Sequence, residues 1–335
     1  MTALEAVPGP RVPGALPPGP GGAAGWHAGL DVGGSKVLAV LLEDGLLRRT
    51  VRVPSRPGVT GVVATAADAV GRLCAAEGLA PGVLASVGVG LPGVVDAAAG
   101  TVAHAVNLGL EDAAPVAHLL GQALGGVRVA LENDLNAAAL GAARVLGLRG
   151  DLAFLSLGTG LAAGLLLDGR LRRGHRGAAG EVGHLPYRPD GPVCPCGQRG
   201  CLELYASGSA LAAAWPSRTG RPPAQEVFAA ASQGDAAAGG VRDRFVDAVA
   251  AAVLTLVLTC DVEHVVVGGG VAQLGQPLLV ALEVALRART ATSPFLASLG
   301  VADRVQVVRP ELLVAPIGAA LAAAEGTGEA VAAVG

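Results

Sequence analysis

Leu30-Asp31-Val32-Gly33-Gly34-Ser35-Lys36 opens the patterned part of the chain, and about 125 residues later Leu155-Ser156-Leu157-Gly158-Thr159-Gly160 repeats its design. The first copy runs on through the apolar residues 37–42, the turn Glu43-Asp44-Gly45 and the charged stretch Leu46-Leu47-Arg48-Arg49. The second runs on through the apolar residues 161–167, Asp168-Gly169 and Arg170-Leu171-Arg172-Arg173. Each copy reads as strand, glycine-rich turn, strand, acidic-glycine turn, strand. The same order of turns in both copies predicts two related halves.

Helical and strand patterns alternate after each copy. In the first half, residues 60–77, 113–124 and 136–146 read as helices, and 84–91 and 127–131 as buried strands. In the second, 208–215, 242–260 and 277–289 read as helices, 263–267 and 304–308 as strands, and Pro316 opens a last helix to residue 324. Alternation of this kind predicts α/β layers, with a ligand cleft between the two halves as the default.

The composition narrows the function classes. The 335 residues are 52% hydrophobic, 15% charged and only 2% aromatic, with a formal net charge of −3. The core must therefore be built from Ala, Val and Leu. A base-stacking surface for single-stranded nucleic acid is not expected, and no basic field draws a nucleic acid or an anionic membrane. The one basic cluster, Arg170, Arg172, Arg173 and Arg176, reads as a solvated turn. The long uncharged stretches 152–167 and 264–282 are broken by Gly158-Thr159-Gly160, by Gly268-Gly269-Gly270 and by Pro277, so no membrane span is expected. No basic start followed by an apolar run marks the N-terminus, so a cytoplasmic protein is expected.

Five segments could carry chemistry. Gly33, Gly34, Ser35 and Lys36 could turn bare amides toward an anion, with Asp31 placed to organise Mg²⁺ through water. The same residues also suit an ordinary hairpin turn, and the second glycine turn at Gly158, Thr159 and Gly160 favours a polyphosphate held by two hairpins. Glu132-Asn133-Asp134 follows an apolar strand. Asp134 could be a general base, and Asn133 or Asp134 could equally cap the next helix. Gly180-Glu181-Val182-Gly183-His184 puts an acid and an imidazole three residues apart, on one side of a helical turn. Cys194, Cys196 and Cys201, joined by His184, make a soft set that would close a tetrahedral Zn²⁺ shell, structural rather than catalytic. Gly268, Gly269 and Gly270 end a buried strand; bare backbone there suits a nucleobase or a simple turn. Gly88-Val89-Gly90-Leu91-Pro92-Gly93 imitates the dinucleotide fingerprint, but residues 94–96 continue extended where that fold needs a helix.

Together, Asp31-Val-Gly-Gly-Ser-Lys36, Leu91-Pro-Gly93, Glu132-Asn-Asp134, Leu157-Gly-Thr-Gly160, Gly180-Glu-Val-Gly-His184 and the Cys194 to Glu203 segment resemble the ROK family of bacterial sugar kinases and sugar-responsive repressors. The resemblance spans about residues 27–325. It implies the actin-like ATPase fold, a small-molecule sugar and ATP as substrates, Mg²⁺, a structural Zn²⁺ and a dimer or tetramer. It implies Asp134 as catalytic base, and Asn107, Asn133, Asp134, Glu181, His184 and Glu203 as ligands of the sugar hydroxyls. Asp31, Gly33, Gly34, Ser35, Lys36, Gly158, Thr159 and Gly160 become the ATP-phosphate loops, Gly268, Gly269 and Gly270 the adenosine wall, and His184, Cys194, Cys196 and Cys201 the zinc ligands. Two departures stand out: Ser35 replaces the usual Thr, and Gly109-Leu110-Glu111 stands where the family often carries a Trp. The second alters a wall of the sugar pocket.

The expected organisation is a Pro/Gly-rich tail over 1–25, α/β domains over 26–146 and 147–316 with the zinc segment 184–201 in the second, a helix over 317–325 packing back on the first, and a tail over 326–335. The expected activity is phosphorylation of a hexose at O6, with glucose first and N-acetylglucosamine, N-acetylmannosamine, fructose or allose as alternatives. ATP and polyphosphate both remain open as donor. A sugar-sensing regulator is the competing expectation, although the 30 residues before Asp31 are too rich in Pro and Gly for a DNA-recognition helix.

Overall fold

The computed structural model describes residues 25–309 and 311–332; apart from Gly25, the expected N-terminal tail lies outside them. The chain divides into two compact units, one ending at Leu148 and resuming at Leu313, the other Arg149–Leu312. The first begins with β1 (Trp26–Val32), β2 (Lys36–Glu43), β3 (Leu46–Pro54), α1 (Gly58–Ala75) and β4 (Ser86–Leu91). A small hairpin of β5 (Val94–Asp96) and β6 (Thr101–Ala103) follows, then α2 (Val116–Ala123), β7 (Val129–Asn133) and α3 (Asp134–Leu146). The second unit holds β8 (Leu152–Leu157), β9 (Leu161–Leu167), β10 (Arg170–Leu171), α4 (Gly208–Ala214), α5 (Pro223–Ser232) and α6 (Ala236–Cys260). It ends with β11 (His264–Gly268), α7 (Gln276–Thr290), α8 (Pro294–Ser298) and β12 (Val305–Val307). The last helix, α9 (Val314–Ala332), returns to the first unit.

The two five-stranded sheets share one topology, β3-β2-β1-β4-β7 in one unit and β10-β9-β8-β11-β12 in the other. In each, three strands meander antiparallel and two more join in parallel. The acidic-glycine turns explain the meanders. Asp44 and Gly45 have φ of 51° and 78°, and Asp168 and Gly169 have 52° and 70°. Paired positive φ is what a two-residue turn matched to strand twist demands, and Asp-Gly meets it at low steric cost. The extended residues after Gly93 form β5, so the imitation dinucleotide motif leads into a hairpin.

In the first unit β2 is buried on both faces. Val37, Ala39 and Leu41 join the core under α1, while Val40 and Leu42 pack with Ile317 and Ala320 of α9. Helix α9 can come so close because glycines face it. A methyl group on Gly29 of β1 would strike the carbonyl of Pro316, and one on Gly88 of β4 the carbonyl of Ala319. Gly141 of α3 and Gly318 of α9 meet in the same way, each against the other helix's backbone. The second unit's core is Leu155, Leu157, Val253, Leu282 and their neighbours, with the small aliphatic character the composition implied.

Several boundaries differ from the sequence reading. Helix α9 begins two residues ahead of Pro316, which still lies in the first turn where proline is tolerated, and it runs on to Ala332 on an Ala-rich sequence. Helices α5 and α8 were not expected. Both carry a start signal, a proline at the first helical turn, and α8 adds a Ser293 cap to the Leu296 amide. Among the described residues, no helix is long and apolar enough to cross a membrane.

The α9 contact predicts unequal glycine replacements. Gly318→Ala or Gly88→Ala should lose about 1–3 kcal/mol or more in denaturant unfolding, because backbone must move. Gly71→Ala, in α1 with open space around it, should gain about 0.5–1 kcal/mol.

Candidate active site

In the first unit β1, β4 and β7 run parallel, so their carboxyl ends share one edge of the sheet. The candidate residues of this unit gather there, where open α/β sheets bind ligands. The 33–36 turn is closed by the Gly33 amide donating to the Lys36 carbonyl at 3.0 Å. A methyl group on Gly34 would lie 2.7 Å from the carbonyl oxygen of Asn107, so this turn abuts the short 3₁₀ turn Val106–Leu108. Asn107 itself is exposed.

Asp31 pairs in register with Gly90 of β4, and the bare face of Gly90 admits the start of α3, with Asp134 Cα 3.6 Å from where a methyl would sit. Asp31 and Asp134 therefore flank one glycine. Protein packed around the Asp31 carboxylate strips its water, and the negative Asp134 adds to this; together they outweigh Lys36 and raise Asp31 to about 6. Asp134 stands in the first turn of α3, where the helix dipole favours a carboxylate. The helix is capped by Asn133, whose Oδ1 accepts from the amides of Leu135 at 3.0 Å and Asn136 at 3.3 Å. The capping alternative thus falls to Asn133. Its carbonyl is committed, and its amide donates to the Gly93 carbonyl at 3.4 Å. Two residues without an assigned role hold this junction: buried Glu132 accepts from the Asn133 amide at 3.0 Å and from the side chain of buried Asn136 at 2.9 Å. Their signal in the sequence was only polarity beside an apolar strand.

The second unit repeats the arrangement. Its parallel strands β8, β11 and β12 bring the 158–160 turn and the 268–270 glycines to one edge, with Gly268 in register with Ser156. Gly268 makes room for the Phe154 ring, and a methyl on Gly269 would lie 2.7 Å from the Leu157 backbone. Packing thus demands two of these glycines, and Gly270 faces open space. Glu203 meets the first turn directly: its Oε2 accepts from the Leu161 amide at 3.1 Å, beside Gly160.

The segment from Gly180 to Glu203 packs on β9. Gly180 and Gly183 press against the carbonyls of Ala163 and Leu161, and the Ala163 amide donates to Gly180 at 2.8 Å. His184 then lies between two groups, with Nδ1 3.9 Å from Cys194 Sγ and Nε2 4.0 Å from Glu181 Oε2. The ligand atoms of His184, Cys194, Cys196 and Cys201 all lie within 4.8 Å of one another, and Cys196 and Cys201 are 3.6 Å apart. Zinc–sulfur and zinc–nitrogen bonds set tetrahedrally would separate such atoms by roughly 3.5–3.8 Å, so the set fits the ion. The Gln198 main-chain amide, helped by its side chain and the neighbouring thiols, draws Cys196 down to about 6. Burial, then hydrogen bonds with those thiols, pushes Cys201 up to about 12. Gln198, whose amide also reaches the His184 carbonyl at 3.3 Å, is a knot residue that motif reading missed.

A cavity of about 810 Å³ lies elsewhere in this unit, among α5, α6 and α7. None of the residues the sequence singled out lines it.

Residues 27–299 match the ROK family. The chain belongs to the ROK family. The ROK fold is the actin-like ATPase fold, and two α/β units of one strand order are its pattern. A ROK hexokinase from Thermus thermophilus superposes with a TM-score of 0.76 at 32% identity, over 91% of this chain and 99% of that one. A ROK family glucokinase from Streptomyces griseus, solved with glucose and AMPPNP, gives 0.72 at 32% identity over 90% and 100%. A glucokinase from Streptomyces coelicolor is 37% identical over 215 residues, 63% of this chain and 65% of that protein. The match thus spans just under two thirds of that relative's length.

The raised Asp31 carboxyl predicts a pH dependence. Between its ordinary value and about 6 the folded chain holds a proton that the unfolded chain has released, so stability falls as pH rises through this interval. Asp31→Asn should therefore gain up to about 3 kcal/mol at pH 7.5 and nothing below pH 4, read from unfolding of both proteins across pH.

Proposed function

We propose that this protein is an ATP-dependent hexose kinase that phosphorylates glucose at O6, with Asp134 as general base. The observation that carries the reading is the similarity, over nearly the full length of both chains, to a kinase solved with glucose and an ATP analogue. Each unit supplies its own candidate groups. The first unit offers a carboxylate at a helix start and the turn of Gly33, Gly34, Ser35 and Lys36. The second offers the turn of Gly158, Thr159 and Gly160, the adenosine wall at Gly268, Gly269 and Gly270, and polar ligands in Glu181, His184 and Glu203.

Asn107, the Asn133 amide, Glu181, His184 and Glu203 would bind sugar hydroxyls, since fixed donors and acceptors read hydroxyl direction. Asp134 takes the proton from O6. That oxygen forms a bond to the γ-phosphorus as the bond to the bridging oxygen breaks, and ADP leaves. Backbone amides of the glycine turns and Lys36 steady the charge on the phosphates. Mg²⁺, held through Asp31, would supply neutralisation of the phosphate oxygens; a carboxylate stripped of water beside a second one suits a divalent cation. Zn²⁺ in the Cys₃His set would fix His184 between the knot and Glu181, and take no part in the chemistry. An ATP-consuming sugar kinase fits the cytoplasmic location expected from the sequence.

A coupled ADP-release assay over glucose, N-acetylglucosamine, N-acetylmannosamine, fructose and allose should find glucose turned over fastest; no turnover with any of them would sink the kinase reading. Asp134→Asn should lower kcat by about 10²–10⁴ with glucose still bound, and near-normal turnover would remove Asp134 as base. Elemental analysis should find about one Zn per chain, and Cys201→Ser should lose both the metal and thermal stability.

A further inference from the structure

The chain has only two tyrosines, Tyr187 and Tyr205, and they pack on each other edge to face with ring centres 5.3 Å apart. Tyr187 follows His184 by three residues, and Tyr205 follows Glu203 by two. The pair thus ties together the two ends of the segment that carries the polar ligands. The Tyr187 hydroxyl donates to Asp247 Oδ2 at 2.9 Å, on α6. Arg289 of α7 grips the same carboxylate with two bonds of 2.7 Å and donates to the Tyr187 hydroxyl at 3.2 Å. Burial pushes the Asp247 carboxyl up, but the bonds from Arg289 and Tyr187 outweigh it and hold it below the usual range. Planar, bidentate and partly buried, this is the strong form of an ion pair.

The segment needs such a tie. Residues 185–201 contain no helix or strand, only the isolated bridges Pro186 to Cys201 and Val193 to Arg199. Their backbone bonds, such as Tyr187 and Arg188 to the Gly200 carbonyl, close the segment on itself. The Tyr187 hydroxyl instead reaches out to the helices.

We infer that Asp247 and Arg289, acting through Tyr187, are positioning residues that set where His184 and Glu203 stand for the sugar. The inference rests on the kinase reading for its substrate, but its geometry belongs to the second unit alone. No member of the trio touches a proposed substrate or metal atom, so its effect should fall on sugar affinity, not on the nucleotide.

The test compares wild type with Tyr187→Phe, Arg289→Gln and the double variant. Tyr187→Phe keeps the ring contact and removes only the hydroxyl. The sugar KM should rise about five- to tenfold in each single variant, the size of one lost hydrogen bond, while the KM for ATP and the zinc content stay within about twofold. The double variant should be no worse than the poorer single, because the three groups act as one unit. An unchanged sugar KM in Tyr187→Phe, an equal rise in both KM values, or simple additivity would overturn the inference. Hydrogen exchange on the metal-loaded protein reads the same tie without turnover. Tyr187→Phe should speed exchange over residues 181–203 and leave the 155–165 hairpin unchanged, and equal exchange in the two proteins would overturn the inference. If wild type turns over no sugar, the kinase reading fails, and the exchange result alone decides the positioning role.

Discussion

The first unit stands on a contact of backbone against backbone. Its last helix follows the whole second unit in sequence and packs on a face of the sheet that strands β1, β2 and β4 leave bare. Gly29 and Gly88 on the strands, Gly141 on α3 and Gly318 on α9 let it settle closer than any side chain would allow. With four phenylalanines in the whole chain, large aromatic fillers are scarce. Close approach of small residues replaces them, gaining many weak contacts instead of a few large ones. The cost is intolerance: where backbone is the partner, no rotamer can move aside.

That rigidity places two acids together. Asp31 is fixed by the ladder and Asp134 by the start of α3, and Gly90 leaves nothing between them to fill. The backbone of each is fixed, Asp31 in the ladder and Asp134 at the helix start. The fold thus holds a charge conflict that a stability-driven sequence would remove. Conflicts of this kind, where local chemistry opposes the overall packing, belong at functional sites. Under the proposed reading, a cation or a substrate proton would ease this repulsion, which would link the first unit's packing to its chemistry.

Much of this was legible because it is local. The Asp-Gly turns declare themselves by residue type, and so do the strand ends. The Cys₃His set falls within 18 consecutive residues, 184 to 201, and its spacing could be judged directly. What the sequence hid depends on distant partners. Gly88 and Gly90 look like a phosphate motif, and only the structure shows that one seats α9 and the other α3. Gly268 and Gly269 read as a nucleotide wall, yet packing alone demands them, and Gly270 keeps the open face. Asn133 reads as a sugar ligand, but half its amide is spent on the helix cap. Spacing could not reveal that Asp31 and Asp134, so far apart in the chain, share one glycine.

A metal in the knot would answer only part of the positioning problem. A closed tetrahedral shell fixes four ligand atoms relative to one another, and leaves the body they form free to pivot on the chain at either end. Orientation comes from what grips the body from outside. On one side Gly180 and Gly183 press it onto β9, and Glu203 takes the Leu161 amide. On the other side the Tyr187 hydroxyl meets the carboxylate that Arg289 holds. Contacts to two different parts of the unit, the β9 hairpin and the α6–α7 pair, hold the segment more firmly than either set alone. Under the proposed reading, the same outer contacts would govern how accurately His184 and Glu203 address a sugar.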